Sequence, residues 1–82
     1  FAFNLNAVDV VPSSTSVVFV VGTSGKIYKR STSGAWALQS SGTTNELKDI
    51  QFVTSTTGYA VGVSGTLRKT TNGGTTWTNP II

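Results

Sequence analysis

Val21-Gly22-Thr23-Ser24-Gly25-Lys26-Ile27-Tyr28-Lys29 and Val61-Gly62-Val63-Ser64-Gly65-Thr66-Leu67-Arg68-Lys69 are one pattern written twice, 40 positions apart. Working outward, Leu5-Asn6-Ala7-Val8-Asp9-Val10 matches Leu47-Lys48-Asp49-Ile50-Gln51-Phe52 at an offset of 42, and Trp36 matches Trp77 at 41. The drift marks short length changes in turns. A period of about 40–45 residues is what a unit of four short strands occupies. The chain therefore divides into one repeat over 1–41 and a second over 42–82, together a single structural unit.

Each copy reads as four strands. The first covers 7–11 or 49–53, where Val8/Val10 and Ile50/Phe52 alternate with Asp9 and Gln51, the period of two of a half-buried strand. The second covers 16–22 or 58–63; Val17-Val18-Phe19-Val20-Val21 is apolar on both faces, as in a strand between neighbouring sheets. A Gly-x-Ser-Gly turn follows in both copies, its glycines able to take positive φ. The third strand covers 26–30 or 66–70, and the fourth begins near each Trp. Pro12 and Pro80 fall at strand ends, where a missing N–H costs little. No stretch has helical periodicity. The expected class is all-β: two four-stranded antiparallel meanders packed face to face.

The second copy carries a sharper signature. Thr70-Thr71-Asn72-Gly73-Gly74-Thr75-Thr76-Trp77 resembles the Asp box, Ser/Thr-x-Asp-x-Gly-x-Thr-Trp, of sialidase-type β-propellers. With residues 47–69 before it, the whole copy is similar to a blade of the photosystem II assembly-factor-like propellers. Asn72 replaces the usual Asp, which keeps a side-chain acceptor in the turn without the charge. In the first copy, Ser31-Thr32-Ser33-Gly34-Ala35-Trp36 keeps Gly34 and Trp36 but lacks the acidic position and one residue of spacing. The resemblance implies that the two copies are propeller blades, completing a larger ring by oligomerisation or as a fragment of it. It also implies that Thr70, Asn72, Gly74, Thr76 and Trp77 are structural, with Gly34 and Trp36 as their equivalents. The Asx side chain ties off the hairpin, Trp packs beneath it, and the box lies away from the ligand-binding face.

Composition narrows the chemistry. The chain has 82 residues, no Cys and no His, which removes disulfides, imidazole bases and the commonest metal ligands together. The carboxylates are Asp9, Glu46 and Asp49 alone, and Asp9 and Asp49 fall at near-equivalent blade positions, where turn capping is expected. Arg30 and Arg68 are too few for the arginine cluster that sialidases set against a substrate carboxylate. The Gly-x-Ser-Gly turns lack the strand-to-helix setting and the His partner of a nucleophile elbow. The expectation is no enzyme, no metal and no cofactor.

Lys26, Lys29, Arg30, Arg68 and Lys69 gather on the third strands of a chain with net charge +3. Only Tyr28 is interleaved as an aromatic, so a solvated outer strand is expected rather than a nucleic-acid interface. Trp36 and Trp77 could stack on a sugar, but their fixed place in the repeat favours core packing. No apolar run approaches the 18 or so residues of a membrane span, and no Asn-x-Ser/Thr sequon is present. A sparsely charged, hydroxyl-rich surface is common in secreted, cell-surface and phage-tail β proteins, so an extracellular or cell-surface location is expected. A chain opening on Phe1 without any Met is expected to be a processed or excised product.

The resulting expectation is a non-catalytic propeller building block. It acts as a binding module for a glycan or protein partner or, alternatively, as a purely structural subunit of a ring or filament. Repeat architectures need about three units for stability. Head-to-tail self-association, or blades missing from this chain, is therefore expected. Ten residues separate Trp36 from Leu47, and joining the C-terminus of one copy to the N-terminus of another leaves nine between Trp77 and Leu5. Three copies would give six blades and four would give eight, both within the range of about four to eight blades for closed propellers.

Overall fold

Alternating apolar and polar side chains, interrupted every few residues by Gly, Ser, Thr or Pro, favour short strands and tight turns. The computed structural model describes residues 4–12, 17–31 and 34–80. Within them lie β1 (Leu5–Val10), β2 (Val18–Gly22), β3 (Ile27–Arg30), β4 (Trp36–Gln39), β5 (Leu47–Phe52), β6 (Gly58–Gly62) and β7 (Leu67–Thr70). They form two antiparallel meanders, sheet A in the order β1-β2-β3-β4 and sheet B in the order β5-β6-β7. The chain is all-β. Residue 16, expected to open the second strand, lies outside the described residues.

The repeat persists down to its irregularities. Leu5 pairs with Gly22 and Leu47 with Gly62, and both ladders break register at the next step, before Ala7 and before Asp49. The same bulge in both copies bends both first strands alike. This register aligns Ala7 with Asp49 and Asp9 with Gln51, so the two aspartates are not equivalent as expected. The Gly-x-Ser-Gly turns are 3-10 turns, Thr23–Gly25 and Val63–Gly65. Their left-handed residues are Ser24 and Gly25, and Ser64 and Gly65, whereas Gly22 and Gly62 are extended. Positive φ thus belongs to the second glycine only. At Gly62 the requirement is space, since a Cβ there would collide with the Glu46 carbonyl.

Sheet B departs from the expected four strands. After Trp77 only Thr78 joins the ladder, exchanging two 2.8 Å backbone hydrogen bonds with Lys69. Hydrogen-bonded pairs recur every second residue in an antiparallel ladder. The next would join Leu67 to Pro80, which has no N–H to give. In sheet A the same place holds Ile27 paired with Gln39, and the fourth strand is complete.

The core lies between the sheets. Phe19, Val21 and Ile27 of sheet A meet Leu47, Ile50, Phe52 and Ala60 of sheet B, with Trp77 and Val11 at its margins. The rings of Phe19 and Phe52 stack with centroids 4.3 Å apart, and Trp77 sets its edge against both at 6.4 and 6.0 Å. Such pairs add about 0.5–1.5 kcal/mol each beyond the area they bury.

Candidate functional site

The β7 hairpin is built around two polar side chains. Thr70, buried at the end of β7, accepts the Gly74 N–H at 2.9 Å and donates its hydroxyl to Asn72 Oδ1 at 2.9 Å. Asn72 Oδ1 also accepts the Thr76 N–H at 3.0 Å, while Asn72 Nδ2 donates to Thr76 Oγ1 at 2.8 Å. Gly74 has φ 93°, and a Cβ on it would strike the Phe19 ring across the interface. The turn therefore delivers Trp77 into the core at 5% exposure and lets the Phe19 ring lie against bare backbone. The structure brings Thr70, Asn72, Gly74, Thr76 and Trp77 together as one folded turn.

The first copy keeps the left-handed glycine but departs at the strand end and at the Trp. Gly34 keeps a left-handed φ of 88°, and its N–H donates to Ser31 at 2.9 Å in a tighter turn. Arg30 stands where β7 has Thr70, by the shared ladder register. Thr32 and Ser33 lie outside the described residues. Trp36, expected in the core, is 41% exposed. The reason is which face it occupies. In sheet B the face bearing Ile50, Phe52, Ala60 and Trp77 is covered by sheet A. The same face of sheet A bears Val8, Val10, Val20, Trp36 and Leu38, of which only Val20 is buried, and sheet B does not cover it.

The carboxylates serve the frame. Asp9 Oδ2 accepts the Phe52 N–H at 2.6 Å, tying β1 to β5. Asp49 Oδ1 accepts the Ile50 N–H at 2.8 Å within its own strand. Glu46 accepts from Asn6 Nδ2 at 3.0 Å and lies 3.3 Å from Lys48 Nζ. The Asn6 hydrogen bond, helped by Lys48, holds its carboxyl below the ordinary value. Among the described residues no group of three His, Cys, Asp or Glu gathers.

Two of the basic residues, Lys29 and Arg68, do more than coat a solvated outer strand. Lys29 donates to the Gly73 carbonyl at 3.0 Å with its ammonium 5.6 Å from the Phe19 ring centroid. Arg68 Nε donates to the Ser41 carbonyl at 2.7 Å and Nη2 to the Trp77 carbonyl at 3.1 Å. These side chains pin the β4–β5 connection and the Asp-box turn to the sheets, roles invisible without tertiary contacts.

At the end of the sheets opposite the Asp box, the β2–β3 turn and the β4–β5 connection border an open groove of about 600 Å³. Its lining includes Ser24, Lys26, Gln39, Ser41 and Thr43. A smaller groove of about 280 Å³ adjoins it, lined in part by Asn45, Ser64 and Arg68. Both offer neutral hydrogen-bonding groups and single cations, and neither contains a carboxylate.

A family model described as photosynthesis system II assembly factor YCF48 matches residues 28–81. The chain belongs to this family. The YCF48 match begins within β3 and takes in the whole of sheet B with its Asp box. β1 and β2 lie outside the YCF48 match, yet their ladder repeats that of β5 and β6 with the same bulge. No curated protein and no solved structure matches the chain. Among the described residues no helix is long and apolar enough to cross a membrane.

Proposed function

We propose that this chain is a non-catalytic propeller building block, a blade pair to which further blades are added and whose polar end receives a protein partner. The observation that carries this reading is the equivalence of the two sheet faces. Ile50, Phe52, Ala60 and Trp77 are buried in sheet B, whereas Val8, Val10 and Leu38 on the matching face of sheet A are 63%, 46% and 52% exposed. A continuous apolar face of this kind is a contact surface. Membership in a family of assembly factors favours a protein partner over a glycan. The polar grooves opposite the Asp box are the surface offered to it.

The absence of catalysis rests on how the carboxylates are used. Asp9 and Asp49 accept backbone N–H groups and Glu46 is held by Asn6 and Lys48; Asp49 borders a shallow groove of about 100 Å³ that holds no second carboxylate to act with it.

The test reads Trp36 by its fluorescence, taken as the difference between the chain and its Trp36→Phe variant. A covering blade shields Trp36 from iodide and shifts its emission to the blue. A Trp36 that remains fully quenchable in the native protein would overturn the blade reading. Pure protein is also expected to leave fluorogenic sialosides and other glycosides intact; turnover abolished by Asp49→Asn would overturn the non-catalytic part.

A further inference from the structure

Resting on the blade-pair reading, we infer that the blade covering sheet A is sheet B of a second copy of this chain, docked head to tail. In this contact Tyr59 of one copy enters between Val10 and Trp36 of the next. The template is the interface already inside the molecule. There, sheet A presents Val11, Phe19, Val21, Ile27 and Lys29 to the receiving face of sheet B, which includes Phe52 and Trp77.

Carried through the repeat, the presenting set becomes Val53, Tyr59, Val61, Leu67 and Lys69, and Phe52 and Trp77 become Val10 and Trp36. These five positions keep their character, apolar or aromatic with one lysine, while Ala7, which also packs against the internal core, becomes Asp49 beside Tyr59 and Val61. Val53 and Val61, 55% and 43% exposed, are the open counterparts of Val11 and Val21 at 4% and 0%.

Details independent of hydrophobicity agree. Lys69 already lies over the Tyr59 ring at 5.6 Å, the distance at which Lys29 lies over Phe19. The presenting side chains of sheet B are thus preset in the arrangement used at the internal interface. Asp9 takes the Phe52 N–H, which points off the sheet edge because the adjacent Val53–Thr57 pair is the hydrogen-bonded one. Val10 stands in the same relation to the bonded Val11–Val17 pair, so its N–H also points off the edge. Gln51, the counterpart of Asp9, carries an acceptor suited to that donor.

Finally, a Cβ on Gly25 would strike the Thr43 backbone of the connection folded over it, while Gly65 has the same left-handed φ and nothing within 4 Å. The place where the next connection would lie is open.

The two faces are different surfaces, so the contact is heterologous and propagates. A ring of about four to eight blades takes about two to four copies. Face-to-face pairing of two A sheets would set Trp36 against Trp36, and the internal interface offers no template for that.

The chain has no Cys, so single-thiol variants report contacts cleanly. Val10→Cys and Tyr59→Cys chains, mixed and treated with a short bis-maleimide, are expected to form a covalent pair, and neither chain is expected to do so alone. Native mass spectrometry should show species of several chains, lost in Val61→Arg while the circular dichroism stays β. Cross-linking of either variant with itself to the same extent would overturn the head-to-tail contact. So would a single-chain mass at micromolar concentration, or a Val61→Arg assembly of unchanged mass. A shielded Trp36 at single-chain mass sinks this inference but leaves the blade reading standing, whereas a quenchable Trp36 sinks both.

Discussion

Trp36 and Trp77 occupy the same place in their blades, one residue before the position that pairs with Lys29 or Lys69, yet one is 41% exposed and the other 5%. Their hairpins differ less than their surroundings do. Trp77 lies on a face that another sheet covers, and Trp36 lies on the matching face, which sheet B does not cover. A side chain in a repeat protein is therefore assigned to the core by its neighbours as much as by its own blade. The inner blade face and the open one form a pair of nearly identical chemistries in opposite environments, and substitutions at matched positions measure what the environment contributes.

The largest contrast is expected at the tryptophans themselves. Trp77→Ala should cost about 3–5 kcal/mol, as for other large buried aromatics, enough to unfold a domain whose whole stability is about 5–15 kcal/mol. Trp36→Ala should stay within about 0.5 kcal/mol in the dissociated chain, the range for surface positions. Urea denaturation of both variants at high dilution checks the pair. Equal losses would break the comparison. The indole Nε1 of Trp77 is buried without a hydrogen-bond partner among the described residues. Trp77→Phe removes that N–H along with the ring area and should recover much of the Ala loss.

Next come the turn glycines. Gly25 and Gly65 share a left-handed φ, 68° and 71°, so an Ala at either pays the steric cost of that region, about 1–2 kcal/mol. Only at Gly25 does the methyl also meet backbone, that of Thr43. Overpacking of that kind adds about 1–3 kcal/mol. Thermal unfolding of the two variants should rank Gly25→Ala well below Gly65→Ala; an equal pair would mean that the connection does not press on Gly25.

A smaller effect tests the Asp-box turn. Asn72→Ala deletes two accepted hydrogen bonds and one donated, in a largely exposed turn, and should cost about 1–2 kcal/mol. Asn72→Asp keeps the acceptor for the Thr70 hydroxyl and the Thr76 N–H and should change stability by no more than about 0.5 kcal/mol. A large loss in the Asp variant would show that the donated Nδ2 bond to Thr76 dominates.

The smallest effect is electrostatic and joins the two repeats. Glu46 is held below the ordinary carboxylate value of 4.5 by Asn6 and then by Lys48. A depressed carboxylate contributes stability that is present above its unfolded value and lost as pH falls through its folded one. The unfolding midpoint should therefore drop slightly on acidification through that range, and Asn6→Ala should flatten the drop. The same slope in Asn6→Ala would mean that the bond from β1 to the start of sheet B contributes nothing.

The repeat, its offset of about 40, the strands and the all-β class follow from sequence, because period-two alternation and Gly-rich turns are local properties that any two copies must share. The Asp-box residues could be named for the same reason: Thr70, Asn72 and Thr76 bond to one another within a few residues. Where the sequence reading missed, partners from far along the chain decided the outcome. Lys29 reaches Gly73, Asp9 reaches Phe52 and Arg68 reaches Ser41. The ladder register set Asp49 against Ala7 and left Asp9 opposite Gln51, and the proline at 80 ended the last ladder at one bridge. Periodicity states that a side chain faces one side of its sheet; it carries no information on whether another sheet lies there. That is why sequence placed both tryptophans at one blade position, and only the packing of sheet B on sheet A decided that Trp77 is buried while Trp36 is exposed.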